Sequence, residues 1–292
     1  NSATGIRTIK DRMVGNMKFS LDGCKLLLVH VVLALVATAM VLPFTWMVLA
    51  SLKKLQEIGL DSWIPTVFQW ENYRDVFTMK GVQFGRWYWN SILVAAWVTF
   101  LQVFTSSLAA FSFSRLKWKG RDLVFLLYLA TMMLPSLVMM IPNYQNMISF
   151  GLVNTLQGLI LPSAFSAFGT FLIRQFMMNI PSSLDEAAEI DGASKWQLYW
   201  TVILPLARPA IVTLTIFTFI GNYNSMFWPL VMIKSPELYT LPIGMLAFDS
   251  SQGQQTNLLM AAVTMSVIPM ILIFLFMQKQ LVKGIMLGGV KG

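Results

Sequence analysis

The sequence predicts an all-α, polytopic membrane protein with six transmembrane helices, and three observations carry that reading. Hydrophobic residues make up 56% of the 292 residues and charged residues only 12%, where soluble domains carry about 25% charged. Six apolar stretches contain no Asp, Glu, Lys or Arg. The basic residues concentrate in alternate connecting segments, as in chains that thread a bilayer. With a mean hydropathy of +0.65, the apolar surface exceeds what so few charges could cover in water, so lipid is the solvent for most of the chain. The same composition excludes intrinsic disorder, a collagen-like repeat and a disulfide-stapled scaffold. Cys24 is the only cysteine and His30 the only histidine, which argues against intrachain disulfides, metal clusters and histidine-based triads.

Residues 1–25 read as a polar cytoplasmic segment and 26–292 as the transmembrane domain. The first span is 26–50, with His30 as its only ionisable group. It is too long for a cleavable signal peptide and reads as a retained anchor, with His30 packed or snorkelling. The others are 91–113, 123–141, 159–173, 210–233 and 258–277. The fourth is the shortest and continues toward Met178, with Arg174 near its end. Pro142 and Pro162 stand at or near span ends. Pro43, Pro229 and Pro269 lie inside spans, where neighbouring helices can satisfy the freed carbonyls. Trp87, Tyr88 and Trp89 read as an interfacial belt at the outer start of the second span.

Charge sets the orientation. Residues 1–25, 114–122, 174–208 and 278–292 hold fifteen Lys and Arg, and the opposite segments hold six. The richer side is cytoplasmic, so both termini are expected inside. The net charge of +8 is then a topology signal, and nucleic acid is not expected as a partner.

Residues 179–209 differ from the other connections because they code for two short helices. Pro181 is followed by Ser182 and Ser183, and three residues after each comes an acid, Asp185 and Glu186, a capping-box pattern. Glu186, Ala187, Ala188 and Glu189 favour a helix with its acids at the positive end of the dipole. Gly192 is a candidate C-cap. Ser194 and Gln197 repeat the start signal, and Trp196, Leu198, Tyr199, Trp200 and Val202 carry a second helix up to Pro205. Pro209 then opens the next span. Such a pair could lie on the headgroups or dock in a protein cleft. The acidic first helix favours docking, because the cytoplasmic leaflet is itself negative.

Glu186-Ala187-Ala188, then Gly192, then Ile203-Leu204-Pro205 and Pro209, closely resemble the EAA loop of membrane subunits in binding-protein-dependent ABC importers. Val202 stands where that family often has isoleucine. The likeness extends over nearly the whole chain. Asn222-Tyr223-Asn224 leading to Phe227-Trp228-Pro229-Leu230 is similar to the fifth-span motif of the carbohydrate branch, and residues 235–242 to its following outer loop. The tail Gly288-Gly289-Val290-Lys291-Gly292 resembles the C-terminus of the smaller membrane subunit of maltose-type importers. Within the group, overall likeness is greatest to importers of acidic polysaccharide such as alginate.

The resemblance implies a multi-pass permease of the bacterial inner membrane that forms half of a path for a sugar, oligosaccharide or polysaccharide. It implies a cytoplasmic ATPase pair that binds ATP and Mg, a second homologous membrane subunit and a periplasmic solute-binding protein. Glu186 would pair with a basic residue of the ATPase, Ala187 and Ala188 would permit close approach, Gly192 the turn, and Pro205 the ending. The outer loop 249–257 would reach the binding protein, and the tail 288–292 would lie against the ATPase pair.

The residues themselves add two constraints. No G-x-x-x-x-G-K-[ST] run occurs, so the chain lacks the phosphate-cradling loop of a motor, is not expected to be an enzyme, and needs no cofactor of its own. Asn222 and Asn224 offer amide donors and acceptors suited to sugar hydroxyls, and Tyr223, Phe227 and Trp228 offer flat faces for sugar rings. The competing role for the asparagines is hydrogen bonding between helices. An ion-coupled secondary transporter is the alternative function, but that class places ionisable groups deep in the membrane, and these spans are empty of Asp, Glu, Lys and Arg. A channel would leave the acidic helix pair unexplained. Six helices enclose too small a pore for an oligosaccharide, which again calls for a second membrane subunit.

Overall fold

The computed structural model describes residues 2–59, 62–250 and 255–289, with side chains described over 25–59, 62–248 and 255–278. Among them there are helices and turns and no strand. The order is α1 (Ser2–Ser51), α2 (Glu71–Thr78), α3 (Phe84–Arg115), α4 (Arg121–Ala130), α5 (Ser136–Ser149), α6 (Leu156–Ile160), α7 (Ala167–Met178), α8 (Ser183–Ile190), α9 (Lys195–Leu206), α10 (Arg208–Tyr223), α11 (Phe227–Met232) and α12 (Thr256–Gly289). Short 3₁₀ turns, Thr131–Met133 and Leu161–Ser163, extend α4 and α6, and Leu198–Ile203 within α9 is π-helical.

Among the described residues, three helices are each long and apolar enough to cross a membrane: Lys25–Ser51 of α1, all of α3, and Thr256–Gln278 of α12. Three bent pairs qualify only together: Arg121–Met133 with Ser136–Ser149 at 102°, Leu156–Ser163 with Ala167–Met178 at 43°, and Lys195–Leu206 with Arg208–Tyr223 at 74°. Counting each pair once gives six candidate spans, the number expected, but the third pair covers 195–223 rather than 210–233, and none of the three pairs is the continuous helix that hydropathy suggests. The span expected at 123–141 breaks at Leu134, which is extended (φ −78°, ψ 122°) because Pro135 disfavours helical geometry in the residue before it. The span expected at 159–173 breaks before Ser166, which caps α7 by accepting from the Gly169 amide at 3.0 Å. The span expected at 210–233 stops at Tyr223. Pro229 can neither donate to Ser225 nor avoid crowding its carbonyl, and Asn and Ser compete with the backbone for local hydrogen bonds. The 16 residues of α10 are about 24 Å long, short of a ~30 Å hydrocarbon core. Pro43, Pro142 and Pro269, by contrast, sit within continuous helices.

The centre of the bundle is α3, which packs against α7 and α10, while α12 packs on α1, α2 and α10. Among the described residues, two of the three apolar cores mark the two ends of α3. One holds Phe111, Ile173, Met177, Leu198, Tyr199 and Ile203 at the α8–α9 end; the other holds Val76, Phe84, Trp87, Tyr223, Phe248 and Ala261 at the opposite end. Trp87 corrects the expected aromatic belt. It is 1% exposed and donates from Nε1 to the Pro236 carbonyl at 2.8 Å, so only Trp89, 63% exposed, faces outward as that belt requires. His30 is exposed on α1, its Nδ1 2.7 Å from the Leu26 carbonyl.

Candidate functional site

Two features stand at the two ends of α7. At its C-terminal end the chain builds a helix pair. Residue Gly192 takes φ +79°; the Gly192 amide donates to Glu189 O at 3.0 Å and the Ala193 amide to Ala188 O at 2.9 Å. These two bonds make a Schellman ending for α8. The start signal of α9 forms as the spacing predicts: Gln197 N donates to Ser194 Oγ at 3.2 Å and Ser194 N to Gln197 Oε1 at 2.8 Å. The expected capping box of α8 does not form. Ser182 is already helical (φ −67°, ψ −20°) and its side chain makes no cap bond, because helical turn bonds from Leu184 N to Pro181 O and Asp185 N to Ser182 O take the first amides.

Helix α9 is amphipathic. Leu198, Tyr199 and Ile203 are buried, the Tyr199 hydroxyl lies 2.8 Å from Ser107 Oγ of α3, and Pro205 lies in the last turn. On α8, Glu186 and Ala187 are exposed, Ala188 is half-buried against the core, and Ile190 is 86% exposed. The neighbouring Asp185 turns inward to Arg115, Oδ2 to Nη1 2.8 Å. Glu189 pairs with Lys195, whose ammonium donates to its carboxylate and holds it below the usual glutamate range; the positive charges of Lys195 and Lys117 add to that.

At the N-terminal end of α7 the breaks in three spans meet. A cleft of about 460 Å³ is lined by Ser136 and Asn143 of α5, by Pro162 and Ser163 before α7, by Asn224 to Met226 between α10 and α11, and by Phe227 and Trp228 at the start of α11. Non-helical backbone is tolerated at membrane depth only where protein buries it or where it lines a cavity. All the polar lining side chains are uncharged. Trp228 donates from Nε1 to Gly158 O at 3.2 Å, Phe227 is 67% exposed, and the Asn224 amide nitrogen lies 3.4 Å from Met270 Sδ. Asn222 and Tyr223 do not line this cleft. The Asn222 amide donates to Thr218 O one turn back on its own helix at 2.8 Å, and the Tyr223 hydroxyl donates to Ser266 O of α12 at 3.0 Å. A separate groove of about 410 Å³ between α3, α9 and α10 is lined mainly by Phe100, Phe104, Trp200 and aliphatic side chains, which suits an apolar occupant rather than a hydroxylated one.

Residues 102–286, which include both features, match the family described as binding-protein-dependent transport system inner membrane component. The chain belongs to that family. It is 33% identical over 254 residues, 86% of this chain and 90% of the relative, to the arabinooligosaccharides transport system permease protein AraQ of Bacillus subtilis. It is 31% identical over 262 residues, 89% of this chain and 94% of the relative, to the lactose transport system permease protein LacG of Rhizobium radiobacter. Its fold is similar to a crystal structure of a bacterial ABC transporter involved in import of the acidic polysaccharide alginate, with TM-score 0.75, 25% identity, and 86% of this chain and 94% of that one covered.

The protein is thus a multi-pass permease of the inner membrane. Three parts of these two features carry little mark in the sequence of the permease. Arg115 was legible only as one more basic loop residue and Asp185 only as a first-turn acid. The cleft residues Ser136, Asn143 and Ser163 carried no motif, although Pro135 was a readable signal for the break beside them. Among residues named from sequence, Gly288 and Gly289 fall in the end of α12, whereas Val290, Lys291 and Gly292, with 251–254 of the outer loop, lie outside the described residues.

Proposed function

We propose that this permease forms half of the path for an oligosaccharide and couples its passage to ATP hydrolysed, with Mg, by a separate pair of cytoplasmic ATPase subunits. The observation that carries the reading is the meeting of three helix breaks on one uncharged, amide- and hydroxyl-lined cleft with two aromatic faces. Amides and hydroxyls match sugar hydroxyls in both directions, and Asn224, Phe227 and Trp228 are the residues assigned to the substrate, with Asn222 and Tyr223 supporting them from within the bundle. The lining includes no Lys or Arg, so this half supplies no counter-charge for a uronate such as those of alginate. That favours a neutral oligosaccharide, as in the arabinooligosaccharide and lactose relatives.

The α8–α9 pair supplies the coupling. Glu186, Ala187 and Ile190 form an outward face whose one charge has no partner among the described residues, which suits a cleft with a basic group in the ATPase. Ala188 packs α8 back on the bundle, and Gly192 and Pro205 shape the turn and its exit. The α8 end carries the denser basic charge, so both termini lie in the cytoplasm. A second, homologous membrane subunit completes the path, a solute-binding protein delivers the substrate on the opposite side, and the 288–292 tail meets the ATPase pair.

The test is uptake by proteoliposomes carrying the complex that co-purifies with this chain. Uptake of a neutral oligosaccharide should require both ATP and the binding protein. Asn224→Ala or Trp228→Ala should weaken it about tenfold, the loss of one or two well-placed contacts. Asn222→Ala, whose amide serves its own helix, should change it by less than about twofold. Uptake driven by a sodium or proton gradient without ATP would replace this reading with secondary transport.

A further inference from the structure

We infer that Arg115 and Asp185 form the joint through which movement of α8 is delivered to the transmembrane helices, which makes Arg115 a positioning residue for coupling. The inference rests on the docking of α8 proposed above.

Arg115 is the last residue of α3, and its side chain is only 9% exposed. Nη1 donates to Asp185 Oδ2 at 2.8 Å. Nη2 donates to Met177 O at 2.7 Å and to Ile180 O at 2.8 Å. One guanidinium therefore holds the end of α3, the end of α7, the link after it and the first turn of α8. A second arginine reciprocates: Arg174 of α7 donates from Nε to Phe113 O of α3 at 3.2 Å, and its guanidinium lies 4.1 Å from the ring centre of Phe125 in α4. The ends of α3, α4 and α7 are thus tied together as one body. Helix α8 joins that body at few points, Asp185 and the half-buried Ala188. Its Ser182 cap is unmade and its Glu189 is tied to α9. Among the described residues Asp185 is its one charged tie to α3 or α7.

Stability is the weaker account of the ion pair itself, although the Nη2 bonds to the Met177 and Ile180 carbonyls also cap the end of α7. Arg115 Nε and Asp185 Oδ1 are both buried without a hydrogen-bond partner, and an incompletely satisfied buried ion pair contributes less than apolar packing of the same volume would. Geometry accounts for it better. The planar fork fixes direction as well as distance, so a displacement of Asp185 is passed to the end of α7. The 12 residues of α7 make a rod of about 18 Å, and beyond its other end, across the break before Ser166, Pro162 and Ser163 border the cleft.

The experiment measures substrate transported per ATP hydrolysed in the reconstituted complex. Arg115→Lys keeps the charge and loses the fork; Asp185→Ala removes the carboxylate; Asp185→Asn keeps the shape and one hydrogen bond. Each complex should assemble and hydrolyse ATP. The transport ratio should fall about tenfold for Arg115→Lys and Asp185→Ala, a few-fold for Asp185→Asn, and no further in the double variant Arg115→Lys/Asp185→Ala, because both break one joint. If Asp185→Ala does not assemble, Asp185→Asn decides alone. A normal ratio in assembled complexes overturns the joint, including the case where the variants only lower the amount or thermal stability of the complex. Glu186→Ala separates the two readings. Should it uncouple while Asp185 variants do not, docking stands and the joint falls; should neither uncouple, both fall.

Discussion

At the C-terminal end of α7, the chain makes α8 and α9 with bonds between near neighbours: Ser194 with Gln197, Ala193 with Ala188, Gly192 with Glu189. At the N-terminal end, the cleft needs Ser136, Ser163 and the pair Asn224 and Trp228 to arrive from three different spans. The two regions use glycine for opposite reasons. Gly192 has φ +79° with nothing within 4 Å of where a Cβ would stand, so it is a matter of backbone conformation. Gly158 has an ordinary φ, but a Cβ there would lie 2.3 Å from Leu152 O and 2.6 Å from Met232 Cε, so it is a matter of space. A locally built element tolerates strain at one residue; an element built by convergence fails when one wall cannot approach another.

The largest effect is therefore expected at Gly158→Ala. Leu152 O is backbone and cannot swing aside, and Gly158 O is the acceptor for Trp228. Overpacking of this kind costs about 1–3 kcal/mol, and the main-chain obstacle puts it at the upper end. Thermal unfolding of the purified complex should show a clear loss, with uptake falling alongside. Gly192→Ala should be gentler on stability, about 1–2 kcal/mol for a left-handed L-residue, and more selective in function. It should lower substrate stimulation of ATP hydrolysis while the spans stay folded, and Gly192→Asn, which tolerates that conformation, should retain more of the stimulation. If Gly192→Ala unfolded the complex more than Gly158→Ala did, the contrast between the two glycines would be wrong.

The same contrast explains what the sequence made legible. Six apolar stretches and a charge bias need no tertiary information, and Gly192 and the Ser194–Gln197 box announce themselves within a few residues. The α8 capping box fails on the same scale, because a helical turn begun at Pro181 leaves Ser182 no amide to cap. The breaks at Leu134 and Asn224 follow from Pro135 and Pro229, yet hydropathy averages run through them. Asn222 and Asn224 look alike in sequence. Two residues apart on or beside a helix, they face different ways, and only the fold assigns one to Thr218 and the other to the cleft. The Arg115–Asp185 pair spans seventy residues and carries no local pattern at all.

The smallest effect belongs to the exposed pair within the helix pair, Glu189 with Lys195. Their side chains are 52% and 57% exposed, so water and salt screen most of the attraction. The Lys195 ammonium, by hydrogen bond first and by charge second, holds the Glu189 carboxylate below its usual range. A carboxylate lowered on folding contributes stability that is present above its unfolded pKa and is lost as pH falls through the folded value. The tie should thus be intact across neutral pH and fade only below the ordinary glutamate range near ~4.3. Even then the Schellman bonds of Gly192 and Ala193 keep α8 closed. Amide hydrogen exchange in α8 should be unchanged between about pH 7 and 6, after correction for intrinsic rates, and rise slightly only in acid. Glu189→Gln should remove that acid step and leave the transport ratio within about twofold of the unchanged complex. A step between about pH 7 and 6 that Glu189→Gln abolished would mean a carboxylate raised rather than lowered, and α8 would then sit away from Lys195 in the working complex.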